Sequence, residues 1–556
     1  KFDFRLSNLP LPNSGTTSVV ITATLGSGST SKTLMITREL SPYIILSPKL
    51  PEESVVNQNF VQVSILAEGA DQVLIGKEAM VKDQKEDIFR LEVRDLKAGK
   101  NTIKFTVVRG DEKLNDQFTI NYANQNIVGA QYKAEIPKSG KISVFNKELT
   151  IELPKGTMLR KPLDEPGSGM PSSNIDLFDS QQLLFGIADK EDGRTVKRYN
   201  RVGEVDGSGK ARDGELANIM PNVVATTWLS RPAHFGYASN LYWIDAGYFD
   251  NTSVNEYRTV HGLHPYAPGN EFFNRSSTGL NSRMLEPTQR GTITIKYDSS
   301  ISNEGAKTLG IWKLVNKPGS PQKWVPIGGK VNTKNKTVTA PFDGFGYYAV
   351  FQLRYSYNDI VGHPFARDDI NLIFSRGIMT AKNNAEFGVY DNITRGEFAT
   401  MMVKILDLPL NYEKNRSTFL DVPTEIIDGM LWDYRYIETA VRAGIITGRS
   451  PQVFDPMGSL KREDAAVMIA RAMNLKLGTY EKDLPRLQKM FTDANDINYY
   501  AVPAVTAVAR AGIIQGLPNT LTNSDKLTYR FDPESNLNRA QAAVIAVRVL
   551  DELGKL

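Results

Sequence analysis

Three arginines, Arg395, Arg462 and Arg539, each follow a phenylalanine (Phe387, Phe454, Phe531) by eight residues, and each heads a segment rich in alanine and aliphatic residues. A guanidinium is a planar fork that meets a carboxylate in two parallel hydrogen bonds. In the first turn of a helix it is joined by backbone N–H donors and the positive end of the dipole. The chemistry on offer is capture of an anion. Asp359, Asp421 and Asp493 recur as the last residue of an aromatic-x-Asp triplet and can accept hydroxyl groups, while Trp432 and Tyr500 offer ring platforms. Gly448 and Gly516 would let the backbone approach a ligand closely. Each has a structural alternative. The arginines could bond loop carbonyls across repeats, the aspartates could cap helices, and Trp432 could be core.

Other chemistries find less support. Of the four histidines, His234, His261, His264 and His363, two form "HGLH", but that segment ends in Pro and Gly and reads as a loop with no third ligand. Metal ligands therefore stay unassigned. The acidic stretches "DKEDG" and "DGSGKARDGE" do not match EF-hand spacing. Residues 160–290 hold enough acids for a glycosidase pair, yet no Gly-x-Ser-x-Gly elbow, P-loop or dinucleotide fingerprint occurs. The expectation is a protein that is not an enzyme and has no organic cofactor.

The arginines belong to an internal repeat. "YNDI…INLIFSRGIMTA…FGVYDNITRGEFATMMVKIL", "FLDV…LWDYRYIETAVRAGIITG…FDPMGSLKREDAAVMIARAM" and "FTDA…NYYAVPAVTAVARAGIIQG…FDPESNLNRAQAAVIAVRVL" align throughout, the third lengthened by "NTLTNSDKL". Each unit predicts a helix ended by a left-handed glycine (Gly377, Gly444, Gly512). A loop and a second helix follow. Thr394 and Glu397 resemble a capping box at the start of the second helix in the first unit. One helix pair cannot hide its own apolar face, so the three units should pack together. The first unit departs from the others: Ala381 replaces glycine, "FGVY" replaces "FDP", and no aromatic is evident where Trp432 and Tyr500 stand. Its groove is therefore expected to bind less well.

This pattern resembles the S-layer homology domain of bacterial cell-surface proteins, whose Thr-Arg-Ala-Glu signature stands here as "TRGE", "KRED" and "NRAQ". The resemblance covers about 356–556. It implies a pseudo-threefold spindle with a central three-helix bundle and grooves between neighbours. It also implies non-covalent anchoring to a secondary cell-wall polymer bearing pyruvylated N-acetylmannosamine, outside the cell. A ketal-linked pyruvate carries the carboxylate that the arginines would meet; the sugar would use the aspartates and rings. Calcium stays open as a cofactor because lattice-forming surface proteins often use it, and a two-dimensional lattice of copies is an expected partner. The alternative is a wall-anchored enzyme or glycan-binding protein with 126–355 as its working domain. "WVPIGGKV…TVTAPFDGFGYYAV" also looks like the β-domain that often precedes such repeats.

The rest of the 556 residues reads as β. Residues 1–40 suggest part of an immunoglobulin-like sandwich and 41–125 a complete one, with strands such as "NTIKFTVV" and "DQFTINY". Residues 126–355 read as a larger β-sandwich with an insertion at about 160–290. The repeats are placed at 356–410, 411–478 and 479–556. Cysteine is absent, which excludes disulfides and thiolate chemistry. The net charge of +4 is interspersed, without the basic stripe of a nucleic-acid binder. No apolar run is long enough to span a membrane. The sequence begins at Lys1 without methionine, so a processed chain or a fragment is expected.

Overall fold

A computed structural model describes residues 15–38, 42–48, 55–56, 59–83, 85–122, 131–160, 177–178, 182–188, 190, 229–245, 286–315, 323–427, 429–519 and 527–556. Gly15–Leu25 and Gly28–Arg38 form a two-stranded antiparallel hairpin. Residues 42–122 fold into a four-stranded and a five-stranded sheet. Period-two alternation sends Val63, Ile65, Phe89, Leu91, Phe105 and Ile120 into one core between them.

Besides a small three-stranded sheet of Leu159–Arg160, Leu177–Phe178 and Glu286–Pro287, residues 131–353 build two larger sheets. One has five strands, among them Leu149–Glu152, Gly291–Lys296 and Thr337–Phe342; the other has seven. Ile151, Ile293, Val338 and Phe342 from the first share a core with Phe185, Tyr242, Ile311 and Val350 from the second. The span read as an insertion is partly integral to this unit. Its strands Gln182–Ala188 and Leu241–Asp245 lie inside the seven-stranded sheet, between Gln131–Glu135 and Gly346–Leu353. His261 and His264, and most of the two acidic stretches, lie outside the described residues. Among the described residues no cluster of three potential metal ligands occurs.

The other face of the seven-stranded sheet is apolar too. Trp243, Trp312, Trp324 and Phe351 continue into the core of the helical region without a break. Phe235 and Phe374 meet across this boundary with ring centroids 5.3 Å apart. Gly310 and Gly377 allow the approach: a Cβ on the first would sit 2.6 Å from the Ser375 carbonyl oxygen, and one on the second 2.1 Å from Pro326.

The helices of eight or more residues among the described residues are α1 (Arg367–Ser375), α2 (Arg395–Ile405), α3 (Tyr434–Arg442), α4 (Arg462–Ala472), α5 (Tyr480–Leu487), α6 (Val502–Arg510) and α7 (Arg539–Glu552). Gly377, Gly444 and Gly512 end α1, α3 and α6 with φ of 68°, 71° and 72°. Apart from α5, which packs on α6 inside the third unit, the main helix pairings run between units: α2 packs on α3, α4 on α6 and α7 on α1. Each unit thus lends its second helix to the next unit's first, and the third returns to the first. A ring of backbone hydrogen bonds marks the closure. Leu460 N–H donates to Ile393 (3.1 Å), Leu537 to Leu460 (2.9 Å) and Ile393 to Leu537 (2.9 Å).

Candidate functional site

At each seam the leading arginine enters the neighbouring unit. The backbone N–H groups of Arg395, Arg462 and Arg539 donate to Gly458, Ser535 and Asp391 at 2.9, 3.0 and 2.9 Å. Arg395 Nε donates to the Phe454 carbonyl (3.0 Å) and Arg462 Nε to that of Phe531 (2.8 Å). Their Nη2 groups reach Thr447 and Gln515 carbonyls at 3.4 and 3.1 Å, and Arg539 Nη2 reaches the corresponding Thr380. Each guanidinium lies over its neighbour's phenylalanine, 5.0, 5.3 and 4.7 Å from the ring centroids of Phe454, Phe531 and Phe387. All three side chains are buried. Burial presses their pKa values down, to about 10 at Arg539, which leaves each charged at neutral pH. The helix-start N–H groups expected to face an anion are also engaged, because the next residues Gly396, Glu463 and Ala540 donate to Pro456, Pro533 and Val389.

The seams differ in what balances the charge. Arg539 is ion-paired to Glu397, with side chains only 1% and 5% exposed. Arg395 faces Asp464 at 3.5 Å. The residue at the equivalent position for Arg462 is Gln541, which instead completes a capping box with Asn538. Among the described residues no carboxylate lies within ion-pair distance of Arg462; Asp532 and Asp493 act on it from farther away. Its helix also starts at Lys461 without a side-chain cap.

The three aspartates hold the phenylalanine loops. Asp359 accepts from the N–H groups of Phe387, Gly388 and Val389 at 3.1, 2.7 and 3.2 Å. Asp421 accepts from Phe454 and Asp455 at 2.9 and 2.6 Å, and Asp493 from Phe531 and Asp532, both at 2.7 Å. None of the three caps a helix by side-chain hydrogen bond; each is engaged in holding its loop, with Asp359 and Asp493 half-buried and Asp421 exposed. The loop they hold needs a left-handed residue after the phenylalanine, supplied by Asp455 (φ 60°), Asp532 (φ 61°) and Gly388 (φ 84°). "FGVY" therefore keeps the backbone of "FDP".

The S-layer homology domain matches residues 356–399, 427–466 and 491–543, the segments that build the three seams. The chain carries three S-layer homology domains. An amylopullulanase from Thermoanaerobacterium thermosulfurigenes is 27% identical over 45% of this chain and 13% of its own length. That share exceeds the helical third, so the kinship continues into the β region. The S-layer protein EA1 of Bacillus anthracis is 26% identical over 36% of this chain and 20% of its own length. The chain thus spans a fifth or less of either relative. A β-1,3-glucanase from Paenibacillus barengoltzii is 10% identical over 51% of this chain and 64% of its own, with a TM-score of 0.12 that carries no argument about fold. The S-layer homology domains indicate anchoring to the cell wall, hence a location outside the cell at its surface.

The other expected ligand residues of the S-layer homology domains divide sharply. Trp432 is buried, packs against Gly396 and donates its indole N–H to Met457 Sδ at 3.3 Å, so it is no open platform. Tyr500 is 56% exposed; its hydroxyl bonds Asp464 (2.8 Å) and Glu463 (3.1 Å), the two residues that follow Arg462 in α4, and Asp464 also faces Arg395. Gly448 and Gly516 make room for protein rather than ligand, since a Cβ on them would lie 2.9 Å from the Phe419 ring and 2.7 Å from the Phe491 ring. Sequence reasoning missed Phe365. Like Trp432 and Tyr500 it precedes the helix-ending glycine by twelve residues, and it is exposed against His363 with centroids 4.7 Å apart. The first domain therefore does carry an aromatic there, and counting back from Gly377 would have found it. The spacing of Thr394 and Glu397 makes Glu397 a capping acid. Thr394 does cap its N–H, but the carboxylate serves Arg539.

Proposed function

We propose that the chain is a structural surface protein held non-covalently to the wall. Its S-layer homology domains would take the carboxylates of a pyruvylated secondary cell-wall polymer, and the β region would form an outward body that associates with other copies in a two-dimensional lattice. The supporting observation is the seam between the second and third domains. There a buried guanidinium lacks a carboxylate partner among the described residues, the adjoining helix start is uncapped, and Tyr500 presents an exposed ring. A buried charge without an ionic partner gains most from an arriving anion. In this reading Arg462 is the principal anion contact and Tyr500 the sugar platform. Arg395 and Arg539, already balanced by Asp464 and Glu397, would chiefly close the ring.

Co-sedimentation tests this. The purified chain should pellet with sacculi that retain their secondary polymer and stay in solution with acid-stripped sacculi. Arg462→Gln should lose the pelleting while keeping its helical circular dichroism. Equal pelleting with both kinds of sacculi would reject the polymer as the ligand. Kinship with an amylopullulanase supports a second reading, a wall-anchored glycan-active protein, which turnover of an α-glucan by the purified chain would favour.

A further inference from the structure

Where Phe235–Tyr237 pairs with the end of Gly346–Leu353, a cleft of about 1000 Å³ opens beside the C-terminal end of that central strand of the seven-stranded sheet. Lys190, Arg231 and Arg354 bring positive charge to its walls, and Asp298 is the one carboxylate among its described lining residues. Lys190 is spent on Asp298, to which it is ion-paired. That bond holds the Asp298 carboxyl down at about 2, so the pair is neutral overall. Arg231 and Arg354 are exposed and have no ion-pair partner among the described residues.

Arg354 is placed by its surroundings. Its N–H donates to the His234 carbonyl at 2.8 Å. His234 sits in the left-handed region at φ 68°, a conformation that costs a non-glycine residue energy and recurs at functional sites. The histidine is secured by a 2.9 Å contact from Nδ1 to the Tyr355 carbonyl and by stacking on Tyr357 at 4.2 Å. Gly236 makes a bed for the arginine: a Cβ there would lie 3.2 Å from Arg354 Cγ and 3.0 Å from its Nε.

We propose that this cleft binds an acidic saccharide, with a carboxylate held between Arg231 and Arg354 and a sugar ring against Tyr355. Two guanidinium groups without counter-charges favour an anionic ligand. The polar walls, with Ser302 and Gln352 among them, suit hydroxyl groups better than an apolar molecule. Tyr355 is 75% exposed and supplies the flat apolar face that a pyranose ring needs. The site is independent of the seams, but Tyr355 directly precedes the first S-layer homology match at 356. A polyanion engaged at both places would gain affinity by linkage.

Calorimetric titration of the full chain with hexagalacturonate, maltohexaose and an oligoglycerol phosphate tests the assignment. Hexagalacturonate should bind saturably and maltohexaose should not. Arg231→Ser with Arg354→Ser should weaken binding by about tenfold or more. Both side chains are exposed, so an unchanged melting temperature is expected; Arg231→Lys with Arg354→Lys should restore only part of the affinity, because an ammonium keeps the charge but not the planar fork. Tyr355→Ala should weaken hexagalacturonate alone. Undiminished binding in the double serine variant would overturn the proposal, as would absence of saturable binding to the unaltered chain. Oligoglycerol phosphate binding as tightly as hexagalacturonate, with no effect of Tyr355→Ala, would overturn the saccharide assignment.

Discussion

Glu397 is where the ring of domains should be most sensitive to loss of a single charge. Its partner Arg539 is among the largest fully buried side chains, 1% exposed, and joins the last helix to the first domain. At an effective dielectric near 20, two unit charges about 4 Å apart attract by about 4 kcal/mol. Removing one partner of a buried pair leaves the other uncompensated and typically costs about 3–5 kcal/mol. Glu397→Gln keeps the volume and one hydrogen bond, so about 3 kcal/mol is expected. The corresponding pair at the first seam is longer, 3.5 Å, and its Asp464 side chain is 21% exposed. Asp464→Asn should therefore cost about 1 kcal/mol or less. Urea unfolding followed at 222 nm reads these differences, since every described helix of eight or more residues lies beyond residue 356. A Glu397→Gln cost no greater than that of Asp464→Asn would refute closure of the ring by a buried charge pair.

Lys404 is half-buried beneath Tyr436, and burial lowers its pKa from 10.5 to about 8. Between those values the unfolded chain binds more protons, so stability should rise as pH climbs from about 8 to 10, by about 2 kcal/mol at most. Lys404→Met should remove that rise; an unchanged slope would show that another group titrates. Gly516→Ala should cost about 1–3 kcal/mol through collision with Phe491 and Tyr529, and Phe491→Leu should recover part of it. Thermal melting of each variant gives the comparison, and strict additivity would argue against the collision. Residues 356–556 alone should melt below residues 126–556 and bind an apolar dye, because the sheet covering Phe374 and Ile378 is gone. Equal melting temperatures would mean that the shared core contributes little.

The local half of the repeat could be read from sequence. Left-handed glycines, threonine at a helix start and constant spacing between phenylalanine and arginine all leave marks within a few residues. What each side chain meets could not be read, because the partners come from the next domain. Arg395 bonds a carbonyl 59 residues away, Arg462 one 69 away, and Arg539 one 159 residues back. Periodicity within one helix says nothing about such distances. Gly448 and Gly516 were ambiguous for a different reason: ligand approach and aromatic packing both require a missing Cβ. The strand Gln182–Ala188 was hidden because it is buried on both faces. Leu183, Phe185 and Ile187 face the shared β core, while a Cβ on Gly186 would collide with Trp243 on the other side, so no alternation announced it.

The seam geometry also alters what a repeated arginine means. A signature present three times suggests three equivalent binding sites, but here each copy first joins two domains through its backbone, its Nε or Nη groups and a phenylalanine ring. That work is common to all three and is sufficient reason for the repetition. Ligand capacity must then come from what closure leaves over, and the remainders are unequal. Arg539 is neutralised by Glu397 and Arg395 is partly neutralised by Asp464, whereas Gln541 leaves Arg462 without an adjacent carboxylate. Installing one there separates closure from binding. Gln541→Glu should leave the ring closed, because Asn538 can still cap the helix, while supplying the missing counter-charge to Arg462. Wall co-sedimentation should then fall at unchanged or higher stability. Undiminished binding by Gln541→Glu would mean that the unpaired charge of Arg462 is not what holds the polymer.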